Sequence, residues 1–383
     1  MEKLGKRLMI LSLASHSFNN NNKPVSYEPY VREINLWSDL YDHVDIYTII
    51  HPFSNLNKHK FYEFKNDNIN LINLWTFDAS KSLLQKVLLI LSLPVLSLQL
   101  LSVVNKYDFI NVRNSGFYSI ILGIIVRVFK ISSITKWAGS YRSFKGESFI
   151  TKIDRRIINW YSIKHKVLIY DNVKKEQFVN FIPALMSNSE INLAKNISLN
   201  KPNIEKRLEI VSIGRLYWAK NFELTIEALG QLNKDCDFEW HLHLIGDGAL
   251  KQKLETMCQD LLIKDNVTFY GGLPFNEAQN ILAKSHVLIM PGVMEGWPKP
   301  IAEAWAHNCM PIAANRGNVP DIIDNENKGV RFEPTKNDLS VAIKNAYIYL
   351  TERKSNIVFT KYVKPYSLEN FQLRLIAIIK SLK

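Results

Sequence analysis

The chain has 383 residues, 47% of them hydrophobic and 22% charged, with 15 Gly and 14 Pro. This excludes disordered, fibrous and low-complexity classes and gives enough length for two domains. Its net charge of +12 is uneven: residues 1–200 hold 25 Lys and Arg against 15 Asp and Glu, residues 201–383 hold 23 against 21, so an anionic partner is expected at the first half.

The chain opens like a signal peptide, with Lys3, Lys6 and Arg7 before the apolar run Leu8–Ala14. That run is short, and His16 and an Asn tract follow it, so a buried first strand over Leu8–Leu13 is the better reading. The Gly-free tract Asn19–Asn22 reads as a loose polar loop, and Tyr30–Tyr41 as a helix. Further strand-like runs are Val44–Ile50, Asn70–Trp75, Phe109–Val112, Ser133–Trp137 and Lys166–Tyr170.

Between them lies Leu83–Val104, long enough to span a bilayer but carrying Lys86 near its start and Pro94 inside. Gln85, Ser92 and Gln99 recur every seventh residue, which gives a helix a narrow polar stripe and a wide apolar face. A buried helix is the first reading, an interfacial helix the second, a transmembrane span the third.

The second half is more regular. Apolar runs Leu208–Ile213, Trp240–Ile245, Val267–Tyr270, Val287–Met290 and Pro311–Ala314 alternate with helical stretches Phe222–Leu232, Ala249–Leu262, Asn276–Ala283 and Pro298–His307. Such alternation means βαβ units and a parallel sheet. The polar stretch Asn196–Glu205 is the best linker, giving an α/β chain of two Rossmann-like domains, with a ligand cleft expected at the carboxyl ends of the strands. The domains are placed at 1–200 and 201–365, with a C-terminal helix in 366–383 packing back on the first. The three cysteines, Cys236, Cys258 and Cys309, are too few and too scattered for a disulfide framework or a cysteine-based zinc site.

The chemistry concentrates in Glu295-Gly-Trp-Pro-Lys-Pro-Ile-Ala-Glu303. A strand ends near Met290 and a helix starts near Pro298, so unpaired amides at that helix start offer a seat for a diphosphate. Glu295 before the helix and Glu303 inside it would flank the anion, as suits a ligand with hydroxyls on both sides of a diphosphate. Arg215 and Lys220, after the strand that ends at Gly214, add a planar fork and a point charge for phosphate oxygens.

Together these residues resemble the nucleotide-binding domain of retaining glycosyltransferases of the family 4 type, with the two-Rossmann GT-B fold. The pieces that carry the likeness are Val211-Ser-Ile-Gly-Arg215 with Lys220-Asn221, Leu244-Ile-Gly-Asp-Gly248, Val267-Thr-Phe-Tyr-Gly271, and Glu295-Gly-Trp-Pro through Glu303-Ala. The resemblance implies that Arg215 and Lys220 bind the donor diphosphate and stabilise the leaving group, and that Glu303 binds the ribose. It places Glu295 near the transferred sugar, among the catalytic residues with Arg215 and Lys220. Gly214, Gly246, Asp247, Gly296, Trp297, Pro298, Lys299 and Ile301 are implied on the donor side. Pro300 departs from the pattern, because it cannot donate a backbone hydrogen bond.

The first half matches only in outline. Where similar enzymes carry a Gly-Gly loop, this chain has Ser15 to Pro24, and Ala138 stands where they place a histidine. The acceptor-side candidates are His16, Lys23, Gly139, Ser140 and Arg142, with His16 a possible stand-in for the missing histidine.

The function implied is transfer of a sugar, with retention, from a nucleoside-diphosphate sugar to a hydroxyl of a growing cell-surface glycan, a lipid-linked polysaccharide or lipopolysaccharide. No cofactor or metal is implied, since two cations already serve the diphosphate. The acceptor side implies a polyprenyl-diphosphate-linked glycan and a cytoplasmic protein held peripherally at the inner membrane. The alternative is a catalytically silent GT-B scaffold in a polysaccharide-assembly complex. A nucleic-acid binder, prompted by the pI of 9.3, lacks a recognition motif.

Overall fold

The computed structural model describes residues 3–53, 61–77, 83–113, 116–137, 141, 143, 147–160, 162–293, 296–324, 326–352 and 358–382. The chain divides into an N-terminal unit, Met1–Ala184 with Phe371–Lys383, and a C-terminal unit, Leu185–Asn370.

In the N-terminal unit the elements run β1 (Gly5–Leu11), β2 (His16–Phe18), β3 (Pro24–Tyr27), α1 (Glu28–Ser38), β4 (Tyr41–Thr48), β5 (Phe61–Glu63), β6 (Ile69–Asn73) and α2 (Leu83–Val103). They continue with β7 (Phe109–Arg113), α3 (Phe117–Val128), β8 (Ser133–Lys136), α4 (Phe149–Asn159), β9 (His165–Ile169) and β10 (Phe178–Asn180). Seven of the strands form one parallel sheet in the order β10-β9-β8-β7-β1-β4-β6. Leu8–Leu11 is wholly buried between β4 and β7, which is why it reads as an unbroken apolar run.

A small antiparallel sheet, β2-β3-β5, lies apart from the main one. Asn19–Asn22 is the tip of its first hairpin. It is an ordered turn rather than a loose loop: Asn19 Oδ1 accepts from the amides of Asn21 and Lys23, and Asn22 takes a φ of 57°, which asparagine tolerates.

Helix α2 departs from the first reading of its sequence. It is not buried in the interior: Leu84, Leu91 and Leu98 are each about two-thirds exposed, and Val87, Ile90 and Val95 about half. The polar stripe points inward instead. Buried Gln99 accepts from the Trp75 amide at 3.0 Å and donates to the Asn73 carbonyl at 3.1 Å, and Ser92 bonds Thr76 at 3.0 Å. Gln99 satisfies backbone groups at the end of β6 and just after it, and Ser92 meets the Thr76 hydroxyl, so the polar face is committed to the protein and the apolar face is left outside.

The C-terminal unit runs α5 (Asn188–Ile197), β11 (Leu208–Ile213), α6 (Phe222–Asp235), β12 (Trp240–Ile245), α7 (Lys251–Asp260), β13 (Val267–Gly271), α8 (Phe275–Lys284) and β14 (Val287–Met290). It ends with α9 (Lys299–Ala306), β15 (Met310–Ala314), α10 (Val319–Ile322), β16 (Val330–Phe332) and α11 (Lys336–Glu352). Its six strands are parallel, in the order β13-β12-β11-β14-β15-β16.

The chain crosses between units after Ala184, not at 200/201. Helix α5 buries Ile191 and Ala194 in the core of the C-terminal unit, and Ile204, within the stretch read as a linker, is buried there too. Helix α12 (Leu368–Ser381) enters the N-terminal unit at Phe371, whose ring meets Phe181 edge-on at 4.9 Å. Gln372 then donates to the Leu36 carbonyl at 3.2 Å and Ser132 to that of Leu382 at 3.1 Å.

Candidate active site

Three loops meet at the carboxyl ends of β12, β11 and β14, neighbours in the C-terminal sheet. The loops after β11 and β12 run side by side, because Gly214 donates to the Ile245 carbonyl at 3.0 Å and Leu216 to that of Asp247 at 2.8 Å. Only glycine permits this approach. A Cβ on Gly246, whose φ is +150°, would sit 1.8 Å from the Gly214 oxygen, and one on Gly248 2.1 Å from the Leu216 oxygen. Gly248 belongs to the motif but was not among the expected site residues; its signal was the second glycine of Gly-Asp-Gly.

Asp247, expected to touch the donor, is a brace. Its carbonyl accepts from Leu216, and its carboxylate accepts from the Gly272 amide at 3.0 Å, tying the loop after β12 to the turn after β13.

Arg215 is exposed at this edge and has no carboxylate partner among the described residues. Lys220 closes a 3-10 turn, Trp218–Lys220, after which Asn221 turns left-handed, φ 52°, to start α6. The turn folds the Lys220 stem back over the strand end, its methylenes 3.6 and 3.7 Å from the Cβ position of Gly214. Both cations are thus brought to one strand end. The third loop joins them where Val293 donates to the Ala219 carbonyl at 3.0 Å, inside the same turn. That bond carries the loop of Glu295 to the two cations; Glu295 itself lies outside the described residues.

Beyond it, Trp297 is half-buried and leans on Tyr366, ring centroids 4.7 Å apart. Pro298 caps α9, so the helix begins one residue later than expected. The anion seat at its start is narrower than the sequence promised. Pro300 has no N–H, and the Ile301 amide donates to the Pro298 carbonyl at 3.0 Å. Two of the first three amide positions of α9 therefore offer no free donor. Ile301 is a core residue, its side chain fully buried. Glu303 stands half-buried on α9 among buried Ala302, Ala304 and Trp305, and Lys299 opens that helix.

Of the acceptor-side candidates, the structure describes His16 and Lys23. His16 is fully buried, not exposed in a loop; burial lowers its pKa to about 3, so the ring is neutral. Lys23 is an exposed hairpin residue paired with Asp67 at 2.7 Å. Gly139, Ser140 and Arg142, with Ala138, lie outside the described residues. In their place the N-terminal unit holds a charged cluster that the sequence reading passed over. Glu33 of α1 is bonded to Arg113 at the end of β7 and to Lys136 at the end of β8. Burial alone would raise the Glu33 pKa, but the two cations hold it well below the usual carboxylate range. The available signal was a cation closing each of two buried strands.

With its two parallel-sheet Rossmann-like units, the chain has the GT-B fold. Residues 194–357 match the family Glycosyl transferases group 1. Among similar proteins, the lipopolysaccharide 1,6-galactosyltransferase of Escherichia coli K12 is 24% identical over 270 residues, 61% of this chain and 73% of that one. The putative colanic acid biosynthesis glycosyltransferase WcaL of the same organism is 27% identical over 128 residues; the match spans 32% of this chain and 31% of the relative. The structure of Anabaena HepE in complex with UDP covers 98% of this chain and 100% of its own with a TM-score of 0.69 at 13% identity. Sucrose-phosphate synthase of Thermosynechococcus elongatus covers 98% of this chain and 99% of its own with a TM-score of 0.71 at 16% identity. At such identities the structures share the fold.

Proposed function

We propose that this protein is a retaining glycosyltransferase that moves a sugar from a nucleoside-diphosphate donor to a hydroxyl of a growing cell-surface glycan. The observation that carries the reading is the junction of Arg215, Lys220 and the loop after β14 through the Val293–Ala219 bond. It sets two cations where a leaving diphosphate gains charge. The names of the similar E. coli enzymes, and the UDP held by the HepE structure, support the substrate class.

In this mechanism Arg215 grips the diphosphate oxygens with its fork, and Lys220 follows the charge that develops as the glycosidic bond breaks. Glu303 accepts the ribose hydroxyls, and Glu295 serves the sugar's own. The acceptor hydroxyl attacks from the face the diphosphate leaves, which retains the anomeric configuration. The two cations do the work a divalent ion would do, so neither metal nor cofactor is required.

The acceptor we propose is a polyprenyl-diphosphate-linked glycan, met at the cytoplasmic face of the inner membrane. The outward apolar face of α2 supports this, with exposed Ile124, Val128, Phe129 and Lys130 at the end of α3. A helix that turns leucines outward and glutamine inward suits an interface with lipid.

Two substitutions test the donor reading. Lys220→Ala should cut turnover about a hundredfold while donor affinity changes little, since its partner charge exists mainly in the transition state. Glu303→Gln should do the opposite, weakening donor binding by about 1–3 kcal/mol. Equal losses of affinity and rate for Lys220→Ala would make it a plain phosphate anchor, and unchanged affinity for Glu303→Gln would remove the ribose assignment.

A further inference from the structure

The loop that carries Arg215 and Lys220 leaves β11 after Ile213, whereas Arg207 and Glu209 stand at the strand's other end, about 13 Å away along it. There a cavity of about 450 Å³ is lined from β11, β12, β13 and α8. None of its lining residues belongs to the donor loops.

One wall is a hydrogen-bonded row across three neighbouring strands. Arg207 Nε and Nη2 donate to Glu209 Oε1 at 2.9 and 2.8 Å. Glu209 Oε2 accepts from His243 Nε2 at 2.9 Å, and His243 Nδ1 meets the Tyr270 hydroxyl at 2.9 Å. Burial alone would raise the Glu209 pKa, but the bonds from His243 and Arg207 hold it below its ordinary value. The carboxylate is therefore ionised, and both its oxygens are spent.

The opposite wall is unmatched. Asn280 and Lys284 stand one turn apart on α8, both exposed, and neither side chain has a hydrogen-bond or ion-pair partner among the described residues. Arg207, its side chain 48% exposed, commits Nε and Nη2 to Glu209 and keeps Nη1 over. Two cations thus face one carboxylate, leaving a surplus positive charge. Donor groups on Lys284, Asn280 and Arg207 line one cavity with no acceptor assigned to them, and Pro202 and Ile281 add apolar surface beside them. Three donor groups suit the three terminal oxygens of a phosphoryl group better than the two of a carboxylate.

We propose that this cavity is a second anion site on the C-terminal unit, which takes a phosphoryl group on Lys284, Asn280 and Arg207. The group is free phosphate or the phosphate ester of a small ring-bearing metabolite, whose ring rests on Pro202 and Ile281. Glu209 does not oppose the ligand, because Arg207 and His243 already compensate it. The site shares no residue with the donor seat, so it stands independently of the glycosyl-transfer reading.

Calorimetric titration of the full chain with inorganic phosphate, in saturating UDP so that the donor seat is filled, tests the site. Glucose 6-phosphate and glucose are titrated in parallel. The wild type should bind phosphate saturably, with affinity about tenfold lower in Lys284→Gln and about threefold lower in Asn280→Ala. Lys234→Gln, which alters an exposed lysine of α6 outside the cavity, should bind as the wild type does. Should Lys284→Gln fold poorly, Asn280→Ala against Lys234→Gln carries the test. Glucose 6-phosphate bound more tightly than phosphate, with glucose ignored, assigns the site to a phosphate ester; phosphate bound and the ester no tighter assigns it to free phosphate. No saturable binding of either phosphorylated probe overturns the proposal. So does binding that Lys284→Gln and Asn280→Ala leave unchanged, or that Lys234→Gln weakens as much as Lys284→Gln. The UDP heats are recorded first in the same experiment, so failure of the donor reading appears there, separately from failure of this site.

Discussion

The two units differ most in where they leave apolar surface. The C-terminal unit buries most of its strand residues, pairs buried Glu209 of β11 with His243 of β12, and brings Arg215 and Lys220 to one strand end. The N-terminal unit buries an ion-paired trio and a neutral histidine at its strand ends, and it turns the leucines of α2 outward. Burying charged pairs costs desolvation that the rest of each sheet must offset.

The largest effect should come from the glycines that join the loops of the C-terminal unit. Gly246→Ala sets a methyl group 1.8 Å from a carbonyl oxygen, whereas Gly214→Ala meets only side-chain atoms at 3.4 Å or beyond. We expect Gly246→Ala to lose on the order of 3 kcal/mol of stability and its UDP binding, with Gly214→Ala folded and close to wild type. Chemical denaturation of both variants checks this, and equal stability would mean the loops after β11 and β12 are not so closely joined.

Next in size is the membrane contact. Replacing both Leu91 and Leu98 of α2 with Glu should weaken binding to phosphatidylglycerol-containing vesicles by about 3 kcal/mol or more, the transfer energy of two leucines. Fold and donor binding should persist, because neither residue packs inside. High salt should release a large share of wild-type protein from the vesicles. Binding that ignores salt and yields only to detergent would indicate a span or deep insertion instead.

The smallest effect is the share of the pH dependence of stability that His16 carries. The folded-state pKa of His16 is about 3 against 6.5 in a free chain. Only the unfolded chain takes up that proton below pH 6.5, so stability is lost as pH falls from 6.5 toward 3. The limit is about 1.4 kcal/mol per pH unit. Urea denaturation between pH 7 and pH 5 should show a slope shallower by roughly 1 kcal/mol per pH unit in His16→Gln. An unchanged slope would mean that His16 is already protonated in the fold.

The same contrast explains what the sequence could show. Both parallel sheets were legible, since runs such as Leu8–Leu11 and Leu208–Ile213 are apolar on both faces and separated by helical periods. The donor loops were legible because glycine and charge stand at fixed distances from strand ends there. That the Ile301 side chain is buried was not legible, because a motif position does not say whether a backbone or a side chain faces the loop. The burial of α2 was misread because periodicity finds a stripe but not the direction it faces; the Asn73–Thr76 segment that captures Ser92 and Gln99 lies outside the helix. The Glu33–Arg113–Lys136 trio escaped because its members lie 80 and 103 positions apart in sequence.

Retention with no metal is the central claim, and the anomer of the released sugar tests it most directly. A panel of sugar nucleotides ranked by thermal shift selects the donor, and its hydrolysis in excess EDTA is followed by proton NMR before mutarotation. The account predicts that the first sugar released keeps the donor's anomeric configuration, at a rate that Lys220→Ala lowers about a hundredfold. Release of the inverted anomer, or hydrolysis abolished by EDTA and restored by a divalent ion, would contradict it.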